Sequence, residues 1–105
     1  MSDLLVIERR LPAVIVRFNR PDKQNALSIA VLKGLDEKLA ELDEDSAIRG
    51  IVLTGNDKVF STGGDLKEAL AVRTVPEIRN WLELFRRANH RIESISKPVV
   101  AAING

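Results

Sequence analysis

Gly63, Gly64 and Asp65 stand between a short apolar run, Ile51-Val52-Leu53, and a segment of helical spacing that opens at Leu66. Adjacent glycines free the backbone from Cβ clashes, so their N–H groups can be aimed at a ligand at close range. A helix start just behind them, with Asp65 as N-cap, adds the positive end of a dipole. Such a device suits an oxyanion, a carbonyl that develops negative charge, or a phosphate, and the Gly64 N–H is the candidate for one arm of an oxyanion hole. Taken alone, the same three residues also read as a tight turn with a good cap.

The flanking elements must hold this turn in place. Leu4 to Arg9 and Ala13 to Phe18 are β-branched-rich runs separated by Arg10-Leu11-Pro12, which predicts a hairpin or consecutive strands. Asn19 to Asn25 is rich in turn residues and reads as a loop. Ser28 is placed to cap a helix reaching about Leu42, with Ile29, Leu32, Leu35, Leu39 and Leu42 on one apolar stripe. Ile51 to Thr54 predicts a buried strand.

Thr74-Val75-Pro76-Glu77 matches a capping box with proline near the first helical position. The helix it starts carries Ile78, Trp81, Leu82, Phe85, Ala88, Ile92 and Ile95, and Trp81 and Phe85 read as core rather than as the lining of a ligand pocket. Val99 to Ile103 predicts a fully buried strand, and Asn104-Gly105 is a turn signal. The order strand, strand, helix, strand, helix, helix, strand implies an α/β fold with mainly parallel strands and right-handed helical crossovers.

Composition narrows the function class. The 105 residues are 45% hydrophobic and 30% charged with a formal net charge of +1, which is ordinary for one small globular domain. There is no cysteine, which excludes disulfides and thiolate chemistry. The near-neutral balance gives no general pull toward nucleic acid or an acidic membrane. The start lacks a signal-peptide pattern and no apolar run is long enough to span a bilayer, so the expectation is a soluble, cytoplasmic protein.

Several motifs are missing. Neither a phosphate loop of the Gly-x-x-x-x-Gly-Lys-Ser/Thr type nor a Gly-x-Gly-x-x-Gly fingerprint occurs. His90, the one histidine, sits among Arg86, Arg87 and Arg91 on a helix and reads as part of a solvated face, so no metal site is expected. Ser61 lacks a nucleophile elbow. Asp65 reads as a cap, Glu68 as a first-turn charge and Glu41 to Asp45 as a solvated helix end, so no general acid or base emerges.

Three segments together resemble the crotonase superfamily, which includes the enoyl-CoA hydratases and isomerases. They are Asn19-Arg20-Pro21-x-Lys23-x-Asn25-Ala26-Leu27, then Val52-Leu53-Thr54-Gly55 running into Phe60 to Glu68, then Lys97 to Gly105. The resemblance implies a spiral of ββα units, of which residues 1–105 would be the N-terminal portion, and a trimer or dimer of trimers when complete. It places an oxyanion donor on Gly64 N–H. It also puts Lys23, Gln24, Asn25, Ala26 and Leu27 along coenzyme A, with Ser61, Thr62, Gly63, Gly64, Asp65 and Leu66 as the opposite wall. Coenzyme A then enters as part of the substrate, and no other cofactor is implied.

The reaction implied first is hydration of a 2-enoyl-CoA. An isomerase, a CoA-thioester hydrolase or a ring-forming synthase is the alternative, because Ser/Thr-Gly-Gly-Asp resembles several members. The second oxyanion glycine and the catalytic acids are implied to lie past Gly105, so the chain alone is expected to be inactive. Some crotonase relatives bind RNA, and Arg79, Arg86, Arg87 and Arg91 make one helix basic. Glu77, Glu83 and Glu93 dilute that charge, so nucleic acid is not the expected partner.

Overall fold

The computed structural model describes residues 4–105. A four-stranded sheet runs in the order β1 (Leu5–Arg10), β2 (Ala13–Phe18), β3 (Gly50–Thr54), β4 (Val99–Ala102). The first pair is antiparallel and the next two are parallel. Helix α1 (Ile29–Asp43) carries the chain from β2 to β3; α2 (Leu66–Ala71) and α3 (Val75–Ser94) carry it from β3 to β4. This is the mainly parallel α/β arrangement that the alternation of patterns predicts.

Period-two patterning turns one face of the sheet inward. Val14, Val16 and Phe18 on β2 and Ile51 and Leu53 on β3 are buried, and Val31, Leu32, Leu35, Leu39 and Leu42 of α1 cover them. The helix starts form as their caps dictate. Ser28 Oγ accepts the Val31 N–H at 3.2 Å, Asp65 accepts the Glu68 N–H at 3.1 Å, and Thr74 and Glu77 complete a reciprocal capping box. The loop before α1 contains one short 3-10 turn, Pro21–Lys23.

Three expectations need correction. Val99 to Ile103 is not fully buried: only Val99 packs against the core, while Val100 is 59% and Ile103 71% exposed. Among the described residues β4 lies at the edge of the sheet, and a continuous apolar run reads as buried whatever covers it. In α1, Val31 rather than Ile29 points into the core, and Ile29 faces a groove shared with α2 and α3. In α3 only the later residues Leu84, Phe85, Ala88 and Ile92, followed by Ile95, pack on the core, whereas Ile78 and Leu82 are exposed. The element that α3 packs on is α1.

Candidate functional site

The loop after β2 and the turn before α2 are stitched together by backbone and side-chain bonds. Leu27 N–H donates to the Gly63 carbonyl at 2.7 Å, and Asp65 N–H donates to the Leu27 carbonyl at 3.1 Å. Leu27 and Gly64 thus form an isolated parallel bridge in which both neighbours of Gly64 are the bonded partners. In such a bridge the N–H of the middle residue points away from the strand that binds its neighbours. Among the described residues nothing accepts the Gly64 N–H, and Gly64 is exposed.

Gly63 takes φ +97°, a conformation that costs glycine nothing and most residues 1 kcal/mol or more. At Gly64 the backbone is not in the left-handed region, and a side chain there would press on a neighbouring ring. A Cβ there would meet Phe85 Cζ at 3.1 Å and Trp81 Cη2 and Cζ2 at 3.6 Å. The two rings pack edge to face, with centroids 5.1 Å apart. Helix α2 is only six residues long, so its dipole adds less at this point than a full helix would.

Arg20 and Asn25 fix the two segments relative to each other. Arg20 Nη1 lies 2.7 Å from Asp65 Oδ2 and also donates to the Ala26 carbonyl at 3.2 Å. The Arg20 hydrogen bond, followed by the Glu68 N–H, holds the Asp65 carboxyl below its ordinary value. Asn25 is 1% exposed, accepts the Arg20 N–H at 2.8 Å and donates to the carbonyls of Val59 and Phe60. Its φ of 57° is one that asparagine tolerates well. Ser61 Oγ donates to the Asn25 carbonyl at 2.7 Å and accepts the Gly63 N–H.

The expected site residues therefore divide in two. Lys23, Ala26, Thr62, Gly64, Asp65 and Leu66 line one pocket of about 560 Å³, together with Arg20 and Lys67. Gln24, Asn25, Leu27, Ser61 and Gly63 do not line it and brace its walls from behind. Lys23 and Lys67 make no ion pair among the described residues, which leaves two cations for an anionic ligand. A second groove of about 460 Å³ lies between α1, α2 and α3, with Trp81 and Leu84 on one side and Ile29, Ala71 and Val72 on the other.

Sequence reasoning missed Arg20 as a partner of Asp65, because nothing local marks an ion pair spanning 45 positions. It also took Trp81 as core. The Trp81 Nε1 is buried without an acceptor among the described residues, whereas a buried indole N–H ordinarily finds one. His90 is exposed, as its helix face predicts. The basic helix is substantially neutralised: Arg86 and Arg87 pair with Glu83, and Arg91 pairs with Asp36 at 2.8 Å.

The protein-family profile described as "Enoyl-CoA hydratase/isomerase" matches residues 11–105. The chain belongs to that family. Its region corresponds to the N-terminal part of the family's fold. The enoyl-CoA hydratase of Mycobacterium smegmatis superposes with a TM-score of 0.92 at 32% identity, over 99% of this chain and 41% of that one. The short-chain-enoyl-CoA hydratase of Clostridium acetobutylicum is 34% identical over 96% of this chain and 39% of its own length. The small ribosomal subunit protein mS47 of Schizosaccharomyces pombe is 35% identical over 99% of this chain and 25% of its own length. This family member thus spans well under half the length of the relatives it matches. No helix among its described residues is long and apolar enough to cross a membrane.

Proposed function

We propose that this chain supplies the first oxyanion donor and the coenzyme A walls of an enzyme that adds water to a 2-enoyl-CoA. The observation that carries this reading is the free, outward N–H of Gly64 beside a pocket holding Lys23 and Lys67. A thioester carbonyl gains negative charge when a nucleophile adds to the conjugated system, and a fixed N–H stabilises it without reorganisation. The lysines suit the phosphates of coenzyme A, which remain remote from the reacting atoms.

One such donor contributes about 3 kcal/mol, against the 8–23 kcal/mol by which enzymes typically lower a barrier. The second donor and the acids that move water and proton are assigned to structure outside these 105 residues, and a trimer or dimer of trimers to the complete assembly. The 105-residue chain should therefore bind crotonyl-CoA in calorimetry yet show no hydration above background. Turnover by the chain alone, or the absence of any binding, would refute this assignment.

Isomerase, thioester hydrolase and ring-forming synthase chemistry share the same donor and remain the alternative for the complete protein. The likeness to a ribosomal protein supports a second reading, an RNA-binding module. Its test is salt-dependent retention on RNA that disappears when Arg86 and Arg87 become alanine. The pairing of both arginines with Glu83 weighs against it.

A further inference from the structure

The outer face of α3 holds a cavity of about 400 Å³ lined entirely by polar and charged side chains: Asp36 of α1 and Arg86, Arg87, His90, Arg91 and Ser94 of α3. Along the helix, 87, 91 and 94, like 86, 90 and 94, follow one another at steps of three and four, so these side chains share one face over two turns. Their positive charge is only partly used. Glu83 grips Arg86 through both oxygens, at 2.6 Å each, and takes Arg87 only through Nε at 3.3 Å. Asp36 takes Arg91 only through Nε, at 2.8 Å. The Nη groups of Arg87 and Arg91 thus have no acceptor among the described residues, and the His90 ring and Ser94 hydroxyl have no partner there either. Three arginines against Glu83 and Asp36 leave one positive charge, and Lys33 and Glu37 of α1, which line the adjoining cavity with Arg87, offset each other.

We propose that this cavity binds the phosphoryl group of a small phosphorylated compound. It shares no lining residue with the pocket beside Gly64, so the proposal does not rest on the acyl-CoA reading. A guanidinium offers two parallel N–H bonds to two oxygens of a phosphate, and Arg87 and Arg91 stand about one turn apart with both Nη pairs open. Ser94 and His90 add a hydroxyl and a ring nitrogen within the same cavity. Donors outnumber acceptors here, which suits a tetrahedral oxyanion and suits neither a cation nor an apolar chain. The volume exceeds that of one bare phosphate, so a diphosphate or a phosphate monoester fills it better.

His90 is the chain's single histidine, so its ring protons report on this cavity alone. At constant pH and ionic strength, the 105-residue chain would be titrated with pyrophosphate, glycerol 3-phosphate, inorganic phosphate and sulfate and followed by NMR. Pyrophosphate and glycerol 3-phosphate should move the His90 ring and Ser94 amide signals along one saturating curve, with inorganic phosphate weaker and sulfate weakest. The tighter of the first two tells a diphosphate ligand from a monoester. Arg87→Gln, whose side chain is 63% exposed, should weaken that binding roughly three- to tenfold and leave the response of Gly64 to crotonyl-CoA unchanged. Ser94→Ala, also at an exposed position, should weaken it less. A His90 signal that pyrophosphate leaves in place, or one that sulfate moves equally well, would overturn the site and spare the acyl-CoA reading. Retention on RNA that depends on Arg86 and Arg87, with no response to the small phosphates, would overturn it in favour of the RNA-binding reading.

Discussion

Arg20 and Asp65, separated by 45 positions in sequence, meet at 2.7 Å with side chains only 20% and 11% exposed. The pair joins the loop after β2 to the turn that carries Gly64, so the placement of the candidate donor depends on it. Asp65 also caps α2 through its other oxygen, and one carboxylate thereby sets both the helix start and the loop position.

Arg20→Ala should destabilise the chain on the order of 2–3 kcal/mol, since it leaves a mostly buried carboxylate unpaired. The pH dependence has a definite sign. The folded carboxyl of Asp65 is depressed below its ordinary value, so its contribution is present above the unfolded pKa of about 3.9 and is lost as pH falls through the folded value. Urea unfolding between pH 2 and 6 should show a steep acid limb in the parent and a shallower one in the variant.

Asn25→Ala removes two donated bonds and one accepted bond from a residue that is 1% exposed. It also places alanine at φ 57°. A loss of roughly 2–4 kcal/mol is expected, read from the urea midpoint at an unchanged m-value. A loss below about 0.5 kcal/mol would show that Asn25 does not brace the loop.

Among the described residues β4 is the last strand of the sheet, and it exposes Val100. Val100→Lys should reduce concentration-dependent association in sedimentation velocity while shifting stability by less than about 1 kcal/mol. Unchanged association would locate the sticky surface elsewhere, for instance at Leu66 and Leu70, which are exposed on α2.

Much of the fold is legible because its signals are local. Ser28, Asp65 and Thr74 each act within three residues of the N–H they cap, so side-chain type and spacing identify them. The strand patterns of β2 and β3 similarly report the face that α1 covers. What covers β4 is a different matter, because apolarity alone does not say whether a neighbour is present. At the site, the glycine pair is visible in sequence, but its surroundings are long-range. Arg20 reaches Asp65 from the other loop, and Trp81 and Phe85 reach Gly64 from a helix whose spacing suits a core equally well.

The central claim is that Gly64 N–H receives a thioester oxygen, and amide NMR of the isotopically labelled chain tests it most directly. Adding crotonyl-CoA should move the Gly64 amide proton downfield, as formation of a hydrogen bond requires, while coenzyme A without an acyl group shifts the signals of Lys23 and Lys67 and leaves Gly64 in place. A Gly64 amide that stays fixed when crotonyl-CoA saturates the pocket would contradict the account.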